Sequence, residues 1–167
     1  MAETKFTKSV KDSLAYYLNI WLKQDRYDIQ AIPEYGVKSK LSKNYIDVAL
    51  LNQKDETHIV AIEIEVKSNP DQILLNRKKF KEWVHASPYR KGGMLHLIFS
   101  EANITQQRMY KLLRDSYSAI SSGKGFYYEF MTYEADYRES RETARYLVDE
   151  SWEFDARLLA LINEVFE

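Results

Sequence analysis

The segment from His58 to Lys67 constrains the fold more than any other part of the sequence, because apolar and charged residues alternate through its second half. Neighbouring side chains of a β-strand point to opposite faces. One face would therefore carry Glu63, Glu65 and Lys67, and the other would carry isoleucine and valine. Acidic residues and lysine are depleted in strands. An edge strand with solvated ion pairs is one interpretation. Helical patterns on both sides of the segment favour an internal strand instead.

The other periodic patterns indicate an α/β fold. Asn69 and Pro70 form a helix-start signal, since Asn is a good N-cap and Pro suits the first helical position. The strands on either side of the turn at residues 52–57 are candidates for a hairpin. Residues 134–150 give no clear pattern. The predicted elements are helices over residues 6–21, from 70, over 105–120 and from 151, and strands over 28–32, 45–51, 58–67, 94–99 and 126–132.

These elements follow the order α-β-β-β-α-β-α-β-α. We expect a single domain spanning residues 1–167, built as a mixed β-sheet of about five strands flanked by helices. The first six elements form a core, and the last three form a C-terminal α-β-α extension.

Composition limits the class of protein and its surroundings. The chain has 167 residues, no cysteine and a formal net charge of −1. Disulfides and thiolate metal sites are therefore excluded, and nucleic acid would have to be bound by a local basic patch. There is no hydrophobic leader and no apolar run long enough to span a membrane. We therefore expect a cytoplasmic protein with no membrane partner.

Another acidic residue, Asp47, lies in the neighbouring predicted strand. Adjacent strands are about 4.8 Å apart, so Asp47 can face Glu63 and Glu65 across the pair. Carboxylates held this close repel one another unless a cation joins them, and hard oxygen ligands favour Mg²⁺ or Mn²⁺. Lys67 would stabilise a phosphate or help to orient and deprotonate water. The pattern predicts a metal site suited to cutting nucleic acid.

The same residues carry a resemblance to a known family. Asp47, the triplet Glu65-Val66-Lys67 and a following helix with Gln72 resemble the PD-(D/E)xK nuclease superfamily, which includes restriction endonucleases and Holliday-junction resolvases. The resemblance implies a restriction-endonuclease-like core of order α-β-β-β-α-β. It also implies that Asp47 and Glu65 hold the divalent metal and that Lys67 assists the attacking water.

Two further site residues follow from the resemblance by position. Glu34 is the candidate for an additional upstream acid, and Gln72 is the candidate for a polar helix residue in the site. A surface carboxylate is an equally good interpretation of Glu34, and a helix cap explains Gln72 without catalysis. A second register, Asp47 with Glu63-Ile64-Glu65, resembles the variant in which Glu replaces Lys. Glu63 would then be a metal ligand.

Basic residues early in the second predicted helix are candidates for phosphate contacts. Arg77, Lys78 and Lys81 lie there, although such a run is often only a solvated helix face. We therefore expect a metal-dependent endonuclease or exonuclease that acts on nucleic acid, with DNA favoured. The alternative is a non-catalytic nucleic-acid-binding or protein-interaction domain that keeps the same fold. The small net charge also fits a homodimer or a larger assembly.

Overall fold

The computed structural model of the chain describes residues 5–26, 28–37, 44–53, 55–66, 70–99, 111, 125–133 and 140–167. These residues form one mixed β-sheet with helices on both faces, so the predicted α/β class is confirmed. The strands are β1 (Ile29–Val37), β2 (Asn44–Asn52), β3 (Asp55–Val66), β4 (Lys91–Phe99) and β5 (Phe126–Tyr133). The helices are α1 (Lys5–Asp25), α2 (Pro70–His85), α3 (Ser140–Asp149) and α4 (Trp152–Phe166).

The five strands lie side by side in the order of the sequence, from β1 to β5. β1, β2 and β3 pair antiparallel, as the predicted hairpin requires. β3 then pairs parallel with β4, because α2 carries the chain back to the end of the sheet at which β3 begins. β4 also pairs parallel with β5. β3 is the middle strand, which confirms that its charged residues do not belong to an edge strand.

The two faces of the sheet have different cores. α1, α3 and α4 cover one face, which contains Ile62 and Ile64 of β3 together with Leu95 and Leu97 of β4. α2 covers the other face, where Ile59 and Ala61 of β3 are continued by Glu63 and Glu65. The alternation predicted for the second half of β3 is therefore confirmed: Ile62 and Ile64 lie on one face, and Glu63 and Glu65 lie on the other.

Gly92 and Gly93 lie inside β4 and allow a helix to approach each face. A Cβ atom on Gly92 would lie 2.5 Å from Val84 Cγ2 of α2. A Cβ atom on Gly93 would lie 3.1 Å from Val165 Cγ2 of α4. Larger residues here would push the helices away from the sheet.

The structure adds to the predicted map in two places, and one predicted helix lies outside the described residues. The first strand does not end before Pro33 but continues to Val37, because β1 is an edge strand and can accommodate a proline. Residues 140–149, which gave no clear pattern, form α3. The helix predicted over residues 105–120 lies outside the described residues, apart from position 111. Among the described helices, none combines the length and the apolar character needed to cross a membrane.

Candidate metal centre and active site

Asp47 lies where β2 ceases to pair with β3. The paired residues run from Val48, opposite Ile62, towards the turn. Beyond this pair, the side chain of Asp47 makes the contact with β3. Its Oδ2 atom accepts a hydrogen bond of 2.8 Å from the backbone N–H of Ile64. This contact attaches the Asp47 carboxylate to the backbone of β3 at Ile64, the residue between Glu63 and Glu65 in the sequence.

The carboxyl group of Glu63 interacts directly with that of Asp47. Burial raises the pKa of Glu63 well above its usual range. The Asp47 carboxylate raises this pKa further, through its charge and a side-chain hydrogen bond, and Glu65 adds a smaller contribution. The backbone N–H of Asp47 acts in the opposite direction. Burial and the neighbouring carboxylates thus act together against ionisation of Glu63, as expected for crowded acids.

Glu65 is buried, with 7% of its surface exposed. Its Oε1 atom accepts a hydrogen bond of 2.7 Å from the side-chain amide of Asn76 on α2. Asn76 in turn accepts one of 3.0 Å from the amide of Gln72. Gln72 therefore reaches the cluster through Asn76, and a helix-start role does not account for its whole environment.

Lys11 of α1 lies between two acids of the predicted site. Its side chain is 8% exposed, and its Nζ atom lies 3.3 Å from Glu34 Oε1 and 3.5 Å from Asp47 Oδ1. Glu34 is half exposed and has a left-handed backbone, with φ of 51°. The structure thus brings Glu34 to the site through a shared lysine.

His96 and Tyr128 form a buried layer behind Glu65. The His96 Nδ1 atom is 2.6 Å from the Tyr128 hydroxyl, and its Nε2 atom is 3.6 Å from Glu65 Oε1. Burial, assisted by the charge of Arg77, lowers the pKa of His96 to about 3. The imidazole is therefore neutral at physiological pH, and its approach to Glu65 is not an ion pair.

Arg77 does not belong to the exposed basic flank expected from the sequence. It is only 5% exposed, and its guanidinium lies 4.8 Å from the ring centre of Tyr128. Its position explains this, because it lies one turn after the buried Ile73 on the face of α2 that packs on the sheet. Lys78 is exposed, whereas Lys81 is partly buried.

A cavity of about 180 Å³ opens beside the carboxylates, between α2 and the sheet. Glu63, Asn76 and Lys79 supply its polar lining, and Tyr45, Phe80 and Trp83 are among its apolar lining residues. The cavity gives a small polar group access to Glu63. Lys67, Ser68 and Asn69, which follow β3, lie outside the described residues.

The oxygen donors of Asp47, Glu63 and Glu65 suit a hard divalent cation. Within the described ranges, no three or more Asp, Glu, His or Cys side chains are arranged so that they could hold a metal ion. Asp47 and Glu65 already contact nitrogen atoms of Ile64, Lys11 and Asn76. The donor chemistry therefore fits Mg²⁺ or Mn²⁺, but a bound ion would have to exchange some of these contacts.

Sequence patterns did not identify Lys11 and Asn76. Lys11 follows Val10 and precedes Leu14 by one turn, so it borders the apolar stripe of α1. That position is a usable signal for burial. No sequence signal pointed to Asn76, because asparagine is common on exposed helix faces and its partner Glu65 is eleven residues away in the sequence.

The chain matches no protein-family model, and a search of curated proteins finds no match.

Proposed function

We propose that this protein is a divalent-metal-dependent nuclease that hydrolyses phosphodiester bonds of nucleic acid, with DNA favoured. One observation carries the proposal: the carboxyl groups of Asp47, Glu63 and Glu65 lie together at the end of the central strand. There burial, followed by the charge of Asp47 and then of Glu65, raises the pKa of Glu63. Such crowding has a cost in the folded protein, and a cation that neutralises it is a common reason for keeping it.

Asp47 and Glu65 are the proposed ligands of Mg²⁺ or Mn²⁺, and Glu63 and Glu34 are candidates for further ligands. When bound, such an ion supplies a Lewis acid that polarises the phosphoryl oxygens and lowers the pKa of water. Asn76 orients Glu65 through its 2.7 Å hydrogen bond. The backbone N–H of Ile64 orients Asp47 in the same way.

Lys67 is the proposed group that orients the attacking water or stabilises charge on the phosphate. This role comes from the resemblance to PD-(D/E)xK nucleases. It is consistent with the chain, because Lys67 directly follows the last residue of β3, Val66. Gln72 supports the site through Asn76.

The nucleic acid would lie over the exposed side of α2. Lys78 is 72% exposed there, and Lys79 and Glu63 both line the cavity. A phosphate held by these lysines would be close to the carboxylates. Arg77 has a different proposed role: its guanidinium packs beneath the site against Tyr128.

A second function is favoured by a specific observation. The carboxylates have protein partners, and no metal-holding set of three is formed among the described residues. A non-catalytic domain that binds nucleic acid or protein would show the same arrangement. The two proposals differ in whether the carboxylates exchange their partners for a cation.

The decisive experiment is incubation of the purified protein with plasmid, single-stranded and branched DNA, and with RNA. Each substrate is tested with Mg²⁺, with Mn²⁺ and with EDTA. The nuclease proposal expects cleavage that EDTA abolishes and that Asp47→Asn removes. Asp25→Asn, at the exposed end of α1, is the matched control and should cleave normally. Binding of substrate without cleavage under every condition would favour the non-catalytic domain.

Metal binding can be measured separately through stability. A ligand that binds only the folded protein raises the free energy of unfolding by about 2.7 kcal/mol at a hundredfold excess over its Kd. Mn²⁺ should therefore raise the Tm of the wild type, and Asp47→Asn should lose this increase. An equal increase in both proteins would place the bound ion elsewhere.

A further inference from the structure

The ammonium group of Lys11 is a buried positive charge beside the carboxylates of the candidate metal centre. The residue is 6% exposed and lies on α1, whose packing face is otherwise apolar. Burying a lysine is unfavourable unless its charge is paired. Here it contacts two carboxylates, Glu34 and Asp47, at 3.3 Å and 3.5 Å.

The position of this charge matters more than its burial. Asp47 has two carboxylate oxygens: Oδ2 accepts the hydrogen bond from Ile64, and Oδ1 faces the Lys11 ammonium. A divalent cation bound by Asp47 would need one of these oxygens. Because the Ile64 contact belongs to the sheet, Oδ1 is the atom that can be released with the least change in the fold.

We propose that the Lys11 ammonium holds the place of the divalent cation, and that a metal ion must displace it from Asp47 to bind. Lys11 is then a positioning residue that sets the metal affinity of the site. This inference rests on the proposed function, since it concerns the same metal centre. The inference gives α1 a role in metal binding, which the sequence pattern did not predict.

The physical basis is charge repulsion combined with linkage. An ammonium and a divalent cation on one carboxylate repel strongly at a separation of a few ångströms. The observed affinity for metal is therefore the intrinsic affinity reduced by the free energy of moving Lys11 away. Without metal, the lysine neutralises part of the negative charge that Asp47 and Glu34 bring to the site.

The test is calorimetric titration of the metal-free protein with Mn²⁺, without nucleic acid. Lys11→Met removes the charge but keeps a long side chain, and we expect Mn²⁺ to bind about tenfold more tightly or better. Lys11→Arg keeps the charge and should bind as the wild type does. Lys8→Met, on an exposed position of the same helix, is the matched control and should have no effect.

Stability gives a second readout that a purely structural salt bridge would not reproduce. Lys11→Met should lower the Tm of the metal-free protein, because Asp47 and Glu34 lose their partner. Saturating Mn²⁺ should then raise the Tm of Lys11→Met by more than it raises that of the wild type. A purely structural lysine would give the lower Tm with equal increases on adding Mn²⁺.

The possible results separate the two proposals. If wild type and Lys11→Met bind Mn²⁺ equally, or if the variant binds more weakly, the role of Lys11 is overturned while the metal centre stands. If neither binds Mn²⁺, the metal centre and the proposed nuclease both fail.

Should Lys11→Met not fold, Lys11→Gln replaces it, and the wild type can also be examined directly. NMR of lysine side chains, assigned with Lys11→Arg, should show the Lys11 Cε signal moving as Mg²⁺ is added. A Lys11 signal that stays in place while Mg²⁺ binds would overturn the inference.

Discussion

The carboxylate of Asp47 and the backbone N–H of Ile64 are 2.8 Å apart, although they belong to different strands. This hydrogen bond extends the connection between β2 and β3 beyond their last paired residues, Val48 and Ile62. Asp47 therefore has a role in the fold as well as a proposed role in chemistry. Asn keeps an oxygen acceptor at this position, whereas Ala would leave the N–H without it. For this reason Asp47→Asn is the sharper probe of function.

The two registers of the acidic motif make different predictions for cleavage. Lys67→Ala should lower the rate about a hundredfold if Glu65-Val66-Lys67 is the working triplet, by analogy with the loss of one charge-stabilising donor. Glu65→Ala should be inactive in both registers. Single-turnover cleavage with Mn²⁺ at saturating protein measures the chemical step for each variant.

Normal cleavage by Lys67→Ala, together with an inactive Glu63→Ala, would select Glu63-Ile64-Glu65 instead. Nucleic-acid affinity serves as the control for this series, since one phosphate contact carries only a small share of binding.

The hydroxyl of Tyr128 is predicted to contribute to stability. Tyr128→Phe removes the 2.6 Å contact with His96 Nδ1 and leaves a buried nitrogen without this partner. We expect the free energy of unfolding to fall by about 1–3 kcal/mol. Urea unfolding measures this. Tyr127→Phe, on the opposite face of the same strand, is the control and should change stability by less. Equal effects of the two substitutions would argue against a special role for the His96 contact.

Stability should also depend on pH through Asp155. Burial, followed by the charge of Asp149, raises the pKa of Asp155 to about 6. The usual pKa in an unfolded chain is about 3.9, so between these values the folded protein binds more protons than the unfolded one. The contribution of Asp155 to the free energy of unfolding should therefore fall as pH rises through this window, whereas the lowered pKa of His96 contributes a slope of the opposite sign.

Asp155→Asn removes this contribution, so the free energy of unfolding of the wild type minus that of the variant should fall as pH rises through the window, measured by urea unfolding at several pH values. Some slope should remain, because the pKa of Glu63 is also raised. A slope identical to that of the wild type would show that Asp155 does not ionise in this window.

Lys78 is predicted to contact nucleic acid through its phosphates. Its side chain is 72% exposed, with Glu82 4.0 Å away one turn along α2. Lys78→Ala should weaken binding at low salt and reduce the slope of log affinity against log salt by about one. Fluorescence anisotropy with labelled DNA measures both quantities. Lys23→Ala, near the exposed end of α1, is the control. An unchanged slope of log affinity against log salt would show that Lys78 does not contact the nucleic acid.

Much of the fold followed from periodicity, because each element buries one clear side. The apolar stripe of α1, the alternation in β3 and the apolar run of β4 each indicated the correct type of element. α3 was missed because its buried side is short: among its described side chains, the buried apolar ones are Ala144, Leu147 and Val148, with Thr143 the buried polar one. Such a short stripe becomes a helix by packing against α1, and the local sequence does not reveal that contact.

The acidic part of the site was predictable for a different reason. Charged residues are unusual inside strands, so Asp47, Glu63 and Glu65 stand out. Lys11 and Asn76 do not, because lysine and asparagine are ordinary on helices. Their importance comes from where α1 and α2 cross the sheet, which is a property of the tertiary structure. Arg77 is the opposite case. The sequence suggested an exposed basic residue because lysines follow it, but its position on the helix places it on the buried face of α2.

One face of the sheet packs mainly apolar side chains, whereas the other includes buried polar groups, and this difference affects which substitutions evolution can accept. On the face covered by α1, α3 and α4, exchanges among apolar residues of similar volume should be accepted readily. On the face covered by α2, replacing Glu65, His96 or Tyr128 would leave a partner unsatisfied. A deep mutational scan selected only for folding should therefore accept apolar exchanges at Leu95 and Leu97 of β4 more readily than any replacement of His96, which lies between them.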